Sequence, residues 1–187
     1  MEKNIFSRKG QTLIEAMVGI GILTVGLLGI MGLLARSFLL SRIIADDLKA
    51  TYLASEGVEL AKNINDHDVY AHLASPPTGA GWGSSWDNLT PGQSKSFEID
   101  YSTCNNDPAI CTPTPFVGNG TPLTYDPATH LYGYGGSVQT PFTREIRVSI
   151  PNANPNEIVV QSIVRWSTGP VTSESIDIED HFFNWHA

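Results

Sequence analysis

The longest apolar run of the chain lies near its N-terminus. Ala16 to Ala35 form 20 consecutive positions without a charged residue, and nothing after Phe38 approaches that length. A run of this length is enough for a helix to cross a bilayer. No proline occurs between Gln11 and Asp66, so one helix can continue through the whole stretch. The pattern predicts a long helix over residues 11–66, with a transmembrane part at about 14–35.

The second half of this helix is amphipathic rather than apolar on all sides. Apolar residues recur at steps of four and seven, and charged residues fill much of the remaining surface. We expect such a helix to bury one stripe against a folded domain or against neighbouring copies. The predicted stripe consists of Leu40, Ile44, Leu48, Tyr52, Leu53, Leu60 and Ile64.

Beyond Asp66 the pattern changes from helix to strands and loops. Residues 74–93 and 102–142 are rich in turn-forming residues, which predicts loops. Ile146, Val148 and Ile150 alternate as one face of a strand requires. The predicted fold class is α+β, with residues 67–187 forming a globular head built on an antiparallel sheet. Its strands are expected at 96–101, 143–150, 157–166 and 174–185.

The charge of the chain is divided between its two ends. Lys3, Arg8 and Lys9 against Glu2 give the first ten residues a net charge of +2, which leaves −10 for the rest of a chain whose net is −8. Basic residues before the apolar run predict a single-pass protein with its N-terminus in the cytoplasm. The acidic remainder argues against direct binding of nucleic acid, since phosphate contacts need clustered Lys and Arg.

Two cysteines, Cys104 and Cys111, lie in the turn-rich stretch "CNNDPAIC". Outside the cytoplasm an even number of cysteines favours a disulfide. Two unpaired cysteines are the alternative. A zinc site is disfavoured because four ligands are needed and no second CxxC or nearby pair of histidines is present.

Motifs of enzymatic chemistry are missing from the sequence. It contains no HExxH, no GxSxG, no phosphate-binding glycine loop and no CxxC. "HDVYAH" and "HFFNWH" space their histidines by five, which is not the spacing of one helix face. We therefore expect no catalytic residue, no metal site and no cofactor, and a protein that is not an enzyme.

The residues before the apolar run form a distinctive motif. A short basic leader ends at Gly10, and "KGQTLIEAM" resembles the cleavage site of type IV prepilins and pseudopilins. The resemblance implies that a prepilin peptidase removes the leader, residues 1–10, by cutting between Gly10 and Gln11, and then methylates the new amine of Gln11. Glu15 would be the fifth residue of the mature chain, where the family carries the glutamate used in assembly. The family's usual first mature residue is Phe or Met, and here it is Gln11. An uncleaved single-pass anchor, with Glu15 at the headgroup level, is the alternative.

Similarity to the family continues weakly beyond the helix. "ATYLASEGVELAKNI" (50–64), "TPFTREIRVSI", "IVRW" and "FFNW" resemble segments of divergent bacterial minor pilins of the PilV class. The resemblance implies a minor pilin that is anchored in the cytoplasmic membrane and then drawn into an extracytoplasmic filament. Its partners would be the prepilin peptidase, other pilin subunits, and the assembly platform and ATPase.

The alternatives are a type II secretion or DNA-uptake pseudopilin, and a filament-tip adhesin or membrane-anchored extracytoplasmic binding protein. An anchored enzyme is disfavoured because no catalytic constellation is visible.

Overall fold

The secondary structure consists of one long helix followed by strands of an antiparallel sheet. The computed structural model describes residues 9–73, 82–101, 112–167 and 173–184, with side chains from Thr12 onward. Over these residues helix α1 runs from Lys9 to Leu73. The strands that follow are β1 (Ser94–Glu98), β2 (Thr114–Pro115), β3 (Pro122–Asp126), β4 (Leu131–Gly133), β5 (Val138–Ser149), β6 (Glu157–Ser167) and β7 (Ser173–Phe183). This is the predicted α+β architecture of a long apolar helix and an antiparallel sheet.

The chain divides into two compact units, Met1–Ala45 and Asp46–Ala187, which we call the N-terminal unit and the head unit. The boundary falls inside α1. The helix continues beyond the predicted end at Asp66 to Leu73, because Ala71 still lies on its buried face and the next proline is Pro76. The predicted division into residues 1–10, 11–66 and 67–187 stays a prediction.

Strand β5 is at the centre of the sheet. One of its edges pairs with β6 over Thr143–Ser149, and the other pairs with β1 near its end and with β3 near its beginning. β7 pairs with β6 over its whole length, while β2 pairs with β1 and β4 with β3. The four predicted strands correspond to β1, β5, β6 and β7. The short strands β2, β3 and β4 lie in the stretch that the sequence predicts as loop.

The face of the sheet that carries Ile146, Val148 and Ile150 packs against α1, as the alternation predicts. The helix contributes mostly small residues to this contact, and the large residues Leu53 and Ile64 complete it. Leu40, Ile44, Leu48 and Tyr52 are 55–69% exposed, and the predicted burial of these four residues against neighbouring copies stays a prediction. The buried helix residues are Ala50, Leu53, Ala54, Gly57, Ala61, Ile64, Asn65, Asp68 and Ala71. Small side chains form this face because the helix lies close to the sheet.

Gly57 marks the closest approach of the helix to the sheet. A Cβ atom added there would clash with the side chain of Ser162 and lie 2.6 Å from Cδ1 of Ile146. Both side chains are fully buried, so neither has room to move away. Only glycine allows this contact, although it weakens a helix by about 1 kcal/mol relative to alanine.

Arg144 is fully buried on the inner face of β5. Its Nη1 donates to the carbonyl oxygen of Leu53 at 3.0 Å, and its Nη2 donates to the carbonyl oxygen of Ile99 at 2.6 Å. Nη1 also lies 3.5 Å from Oε1 of Glu56. One guanidinium group therefore connects the helix, the central strand and the segment after β1.

We expect Gly57→Val to lower the free energy of unfolding of the head by about 3 kcal/mol, because overpacking a tight contact costs on this order. The measurement is chemical denaturation of the full chain in detergent micelles, followed by tryptophan fluorescence. All four tryptophans lie after residue 81, so the signal reports the head. Gly135→Val is the control, since a Cβ atom at Gly135 meets nothing within 4 Å. Equal stability of the two variants would contradict the close contact.

Arg144→Met should destabilise the head by about 3 kcal/mol, since it removes two hydrogen bonds from a charged donor and leaves buried carbonyl groups unpaired. The same denaturation measurement tests this. The matched control is Arg147→Met, whose side chain is 41% exposed and whose ion pair should contribute less than about 1 kcal/mol. If Arg144→Met costs no more than the control, the guanidinium does not hold the helix to the sheet.

Candidate functional site

The helix of the N-terminal unit exposes apolar side chains on every side. All the large apolar residues from Leu13 to Leu40 are between 52% and 72% exposed. By length and composition α1 can cross a membrane. Apolar surface of this extent is unfavourable in water, so lipid or other protein helices must cover it.

Polar groups on this segment are few. The hydroxyl of Thr24 donates to the carbonyl oxygen of Gly21 at 2.9 Å, which removes the cost of placing it in an apolar environment. Glu15 is exposed and is the one acidic residue between Gly10 and Asp46. No side chain described from Thr12 onward forms an ion pair with it. A charged group at the bilayer centre costs about 2.5–3.5 kcal/mol on insertion scales, and less near the interface.

The other residues of the predicted processing site are only partly described. Gly10 and Gln11 lie in the first turn of α1 by their backbone, and their side chains are outside the described part of the chain. Residues 1–8 of the leader are also outside it. The predicted disulfide between Cys104 and Cys111 falls in 102–111 and lies outside the described residues as well.

The outer face of the sheet carries a polar network that the sequence analysis missed. Glu145 is 5% exposed, and its carboxylate accepts hydrogen bonds from Ser96 at 2.7 Å and from Arg147 at 2.9 Å. It also pairs with Arg165 at 2.8 Å. Burial by itself would raise the pKa of Glu145, but the hydrogen bonds from Ser96, Arg165 and Arg147 outweigh it and lower the pKa. Glu145 is therefore a paired carboxylate.

His181 of β7 extends this network between two carboxylates. Its Nδ1 lies 2.5 Å from Glu157 and its Nε2 lies 3.1 Å from Glu179. Hydrogen bonds with these two groups raise the pKa of the imidazole. Glu157 lies on the neighbouring strand β6, whereas Glu179 lies two residues before His181 on β7, so no single sequence motif could reveal both partners. The only available signal was the alternation of polar residues along β6 and β7.

A cavity of about 540 Å³ lies beside this network and is lined in part by Thr143, Glu145 and Arg165. Its two charged groups form an ion pair with each other. Among the described residues no group of three or more His, Cys, Asp and Glu is placed to hold a metal ion.

Comparison with protein families gives one match. The prokaryotic N-terminal methylation motif matches residues 5–31, a range that includes Gly10, Gln11, Glu15 and most of the uncharged run. The range covers 27 of the 187 residues. Comparison with curated proteins and with solved structures gave no match.

The motif implies processing by a prepilin peptidase and assembly with other pilins, and its family is structural rather than enzymatic. The exposed apolar helix fits a single-pass membrane anchor. The long helix followed by an antiparallel sheet is a pilin-like α+β architecture. With the prepilin-type motif, the long apolar helix and the β-rich head together in one chain, the protein is type IV pilin-like.

Proposed function

We propose that the protein is a structural subunit, a minor pilin, of a type IV pilus-like filament. The observation that carries this proposal is the coincidence of the methylation motif with a helix whose apolar side chains are exposed all round. Such a helix is stable in lipid, and it is equally stable when other apolar helices surround it. The protein itself catalyses no reaction.

The leader, residues 1–10, is removed by the prepilin peptidase on the cytoplasmic side of the membrane. The cut between Gly10 and Gln11 creates a new amine, which the same enzyme methylates. The position of the motif over residues 5–31 supports this assignment. Gln11 in place of Phe or Met changes the side chain of the methylated residue and leaves its backbone amine intact.

Glu15 has its role in assembly. Cleavage places a positive amine four residues before it, on the same face of a helix. When helices stack in the filament, the amine of one subunit pairs with Glu15 of its neighbour. Pairing offsets the burial of both charges, whereas a subunit in the wrong register leaves both without a partner. The exposure of Glu15 and its lack of an ion pair with the described side chains support this role.

The precursor is anchored in the cytoplasmic membrane with its N-terminus in the cytoplasm, as the +2 charge of the leader indicates. The cytoplasmic ATPase and the platform protein then draw the mature helix from the membrane into the filament outside the cell.

A pseudopilin of type II secretion or DNA uptake uses the same N-terminus. Deletion of the gene separates these systems, since loss of pili, of secretion or of DNA uptake identifies the one it serves.

Intact mass of the membrane-extracted protein tests the processing step. In a host with its prepilin peptidase the mature chain should begin at Gln11 and carry the mass of one additional methyl group. Without the peptidase the full precursor should remain. Gly10→Val should block cleavage because the cut follows this residue, while Gly19→Ala inside the apolar run should be processed normally. A mature chain that begins at any other residue would overturn the assignment.

Glu15→Ala tests the assembly step. The variant should still be cleaved, but its incorporation into filaments should fall by roughly a hundredfold or more, because breaking a buried ion pair costs about 3–5 kcal/mol. Immunoblots of sheared filaments and of membranes measure the amounts of protein assembled into filaments and left in the membrane. Glu59→Ala is the control, since Glu59 is also exposed on α1 but lies in the head unit. Normal incorporation of Glu15→Ala would refute the pairing.

A further inference from the structure

Strand β7 forms one edge of the sheet. It pairs with β6 on one side, and no strand within residues 82–101, 112–167 and 173–184 pairs with its other side. The strand has 11 residues, contains no proline, and keeps its register with β6 without a bulge. On the other side of the sheet, β2 and β4 have only two and three residues. Proteins usually keep edge strands short or interrupted, because a long regular edge can pair with another chain.

Two hydrogen bonds show which backbone groups of β7 point to this free edge. The N–H of Asn184 donates to the carbonyl oxygen of Asn156 at 2.9 Å, so the even-numbered residues of β7 direct their backbone groups to β6. In an antiparallel ladder the residues between them direct both groups away. The N–H of His181 agrees with this, since it donates to Oδ1 of Asp180 at 2.8 Å. The other residues inside the strand with outward backbone groups are Ser175, Asp177 and Glu179.

The two faces of β7 differ in chemistry. On the outer face, the exposed side chains of Asp177 and Glu179 are neighbours in one row. On the inner face, Ile176 and Ile178 are half-buried and pack against the core cluster around Val164. A strand added at the free edge would place alternate side chains beside the two carboxylates and beside the two isoleucines. Basic residues suit the first row, and apolar residues suit the second.

A second copy of β7 is a poor partner for this edge. The strand has four acidic residues and neither Lys nor Arg. Antiparallel self-pairing centred on Ile178 would set Asp177 opposite Glu179 of the second copy, and like charges directly opposite each other destabilise a strand pair. The acidic side chains therefore disfavour self-association, and the same charges attract a basic strand.

We propose that the free edge of β7 binds an extended basic segment of another protein by antiparallel strand addition. Ser175, Asp177 and Glu179 provide the backbone hydrogen bonds. Lys or Arg side chains of the segment lie beside Asp177 and Glu179, and the apolar side chains between them cover Ile176 and Ile178. This interaction goes beyond filament assembly through the apolar helix and does not depend on it, since β7 belongs to the head unit.

Amide hydrogen exchange of the full chain, followed residue by residue by nuclear magnetic resonance, tests the proposal. The protein is held in micelles of a non-ionic detergent, and the probe is a capped peptide in which lysine and valine alternate. Without the peptide, the amides of Ser175, Asp177 and Glu179 should exchange fast. Saturating peptide should slow them by about tenfold or more, the effect of a new hydrogen bond. The amide of His181 already has an acceptor and should change less.

Two N-methylated peptides separate backbone pairing from charge attraction. N-methylation of the lysines removes the N–H groups that antiparallel pairing directs to β7, so this peptide should not protect the three amides. N-methylation of the valines changes only the opposite edge of the peptide and should leave the protection intact. The two peptides have the same charge and composition, so each is the matched control of the other.

A charge reversal on β7 tests the selection of a basic strand. Asp177→Lys should lower the affinity for the lysine–valine peptide by about fivefold or more, since an attractive cross-strand pair is replaced by a repulsive one. Asp47→Lys is the control, because it makes the same change in net charge at an exposed position of α1 in the head unit. Slow exchange retained in β5 and β6 verifies that both variants are folded.

Three results would overturn the proposal. The first is unchanged exchange of the Ser175, Asp177 and Glu179 amides in the presence of the lysine–valine peptide. The second is equal protection by the peptide with methylated lysines, which would show that charge alone attracts it. The third is equal protection by a peptide in which glutamate and valine alternate, which would show that the edge does not select a basic strand.

Discussion

The close approach of α1 to the sheet at Gly57 is the contact on which the head depends. It requires small residues on the helix face, and it brings a helix carbonyl within reach of Arg144 on the central strand. A buried guanidinium is unfavourable unless its hydrogen bonds are satisfied. The two carbonyl oxygens and the nearby Glu56 provide this compensation for Nη1 and Nη2, whereas Nε has no acceptor among the described residues. The same interaction therefore sets the distance between α1 and the sheet, and it sets the position of the helix along the sheet.

One helix meets two different sets of requirements along its length. Residues 13–40 expose large apolar side chains in all directions, which suits an environment that is apolar all round. From Ala50 onward the buried face is narrow and made mainly of alanine and glycine, and charged residues cover much of the rest. This change of side chains, with no break in the backbone, allows a single element to serve as a membrane anchor and as one layer of a globular core.

The sequence predicted the features that depend on local periodicity. The uncharged run, the alternation at Ile146, Val148 and Ile150, and the four longer strands were all visible as patterns. The packed face of the helix was predicted from its large apolar residues, whereas the face that meets the sheet consists largely of small ones, because the close contact selects them. Strands β2 and β4 have two and three residues, too short for a pattern to be recognised. β3 has five residues, as β1 has, but it begins with a proline within a turn-rich stretch.

The candidate sites also differ in whether a local sequence pattern could predict them. The processing motif is contiguous, so Gly10, Gln11 and Glu15 could be identified from the sequence. Glu145 and His181 each have one partner on their own strand, but Ser96, Arg165 and Glu157 come from other strands. Asn65 accepts its hydrogen bond from a tryptophan 21 residues further along the chain. Such arrangements depend on strand register and tertiary packing, which a single sequence does not encode in any short stretch.

The hydrogen bond between Arg144 and Leu53 joins residues 91 positions apart, and this separation determines the order in which the protein can fold. The helix emerges from synthesis first, but its packed face has no partner until β5 and β6 have followed. Contacts between such distant segments close slowly, because the entropy of the intervening loop is lost before any contact forms. The N-terminal part of the helix is therefore synthesised while the head is still unfolded. Folding of the head is completed only after β5 and β6 have been synthesised.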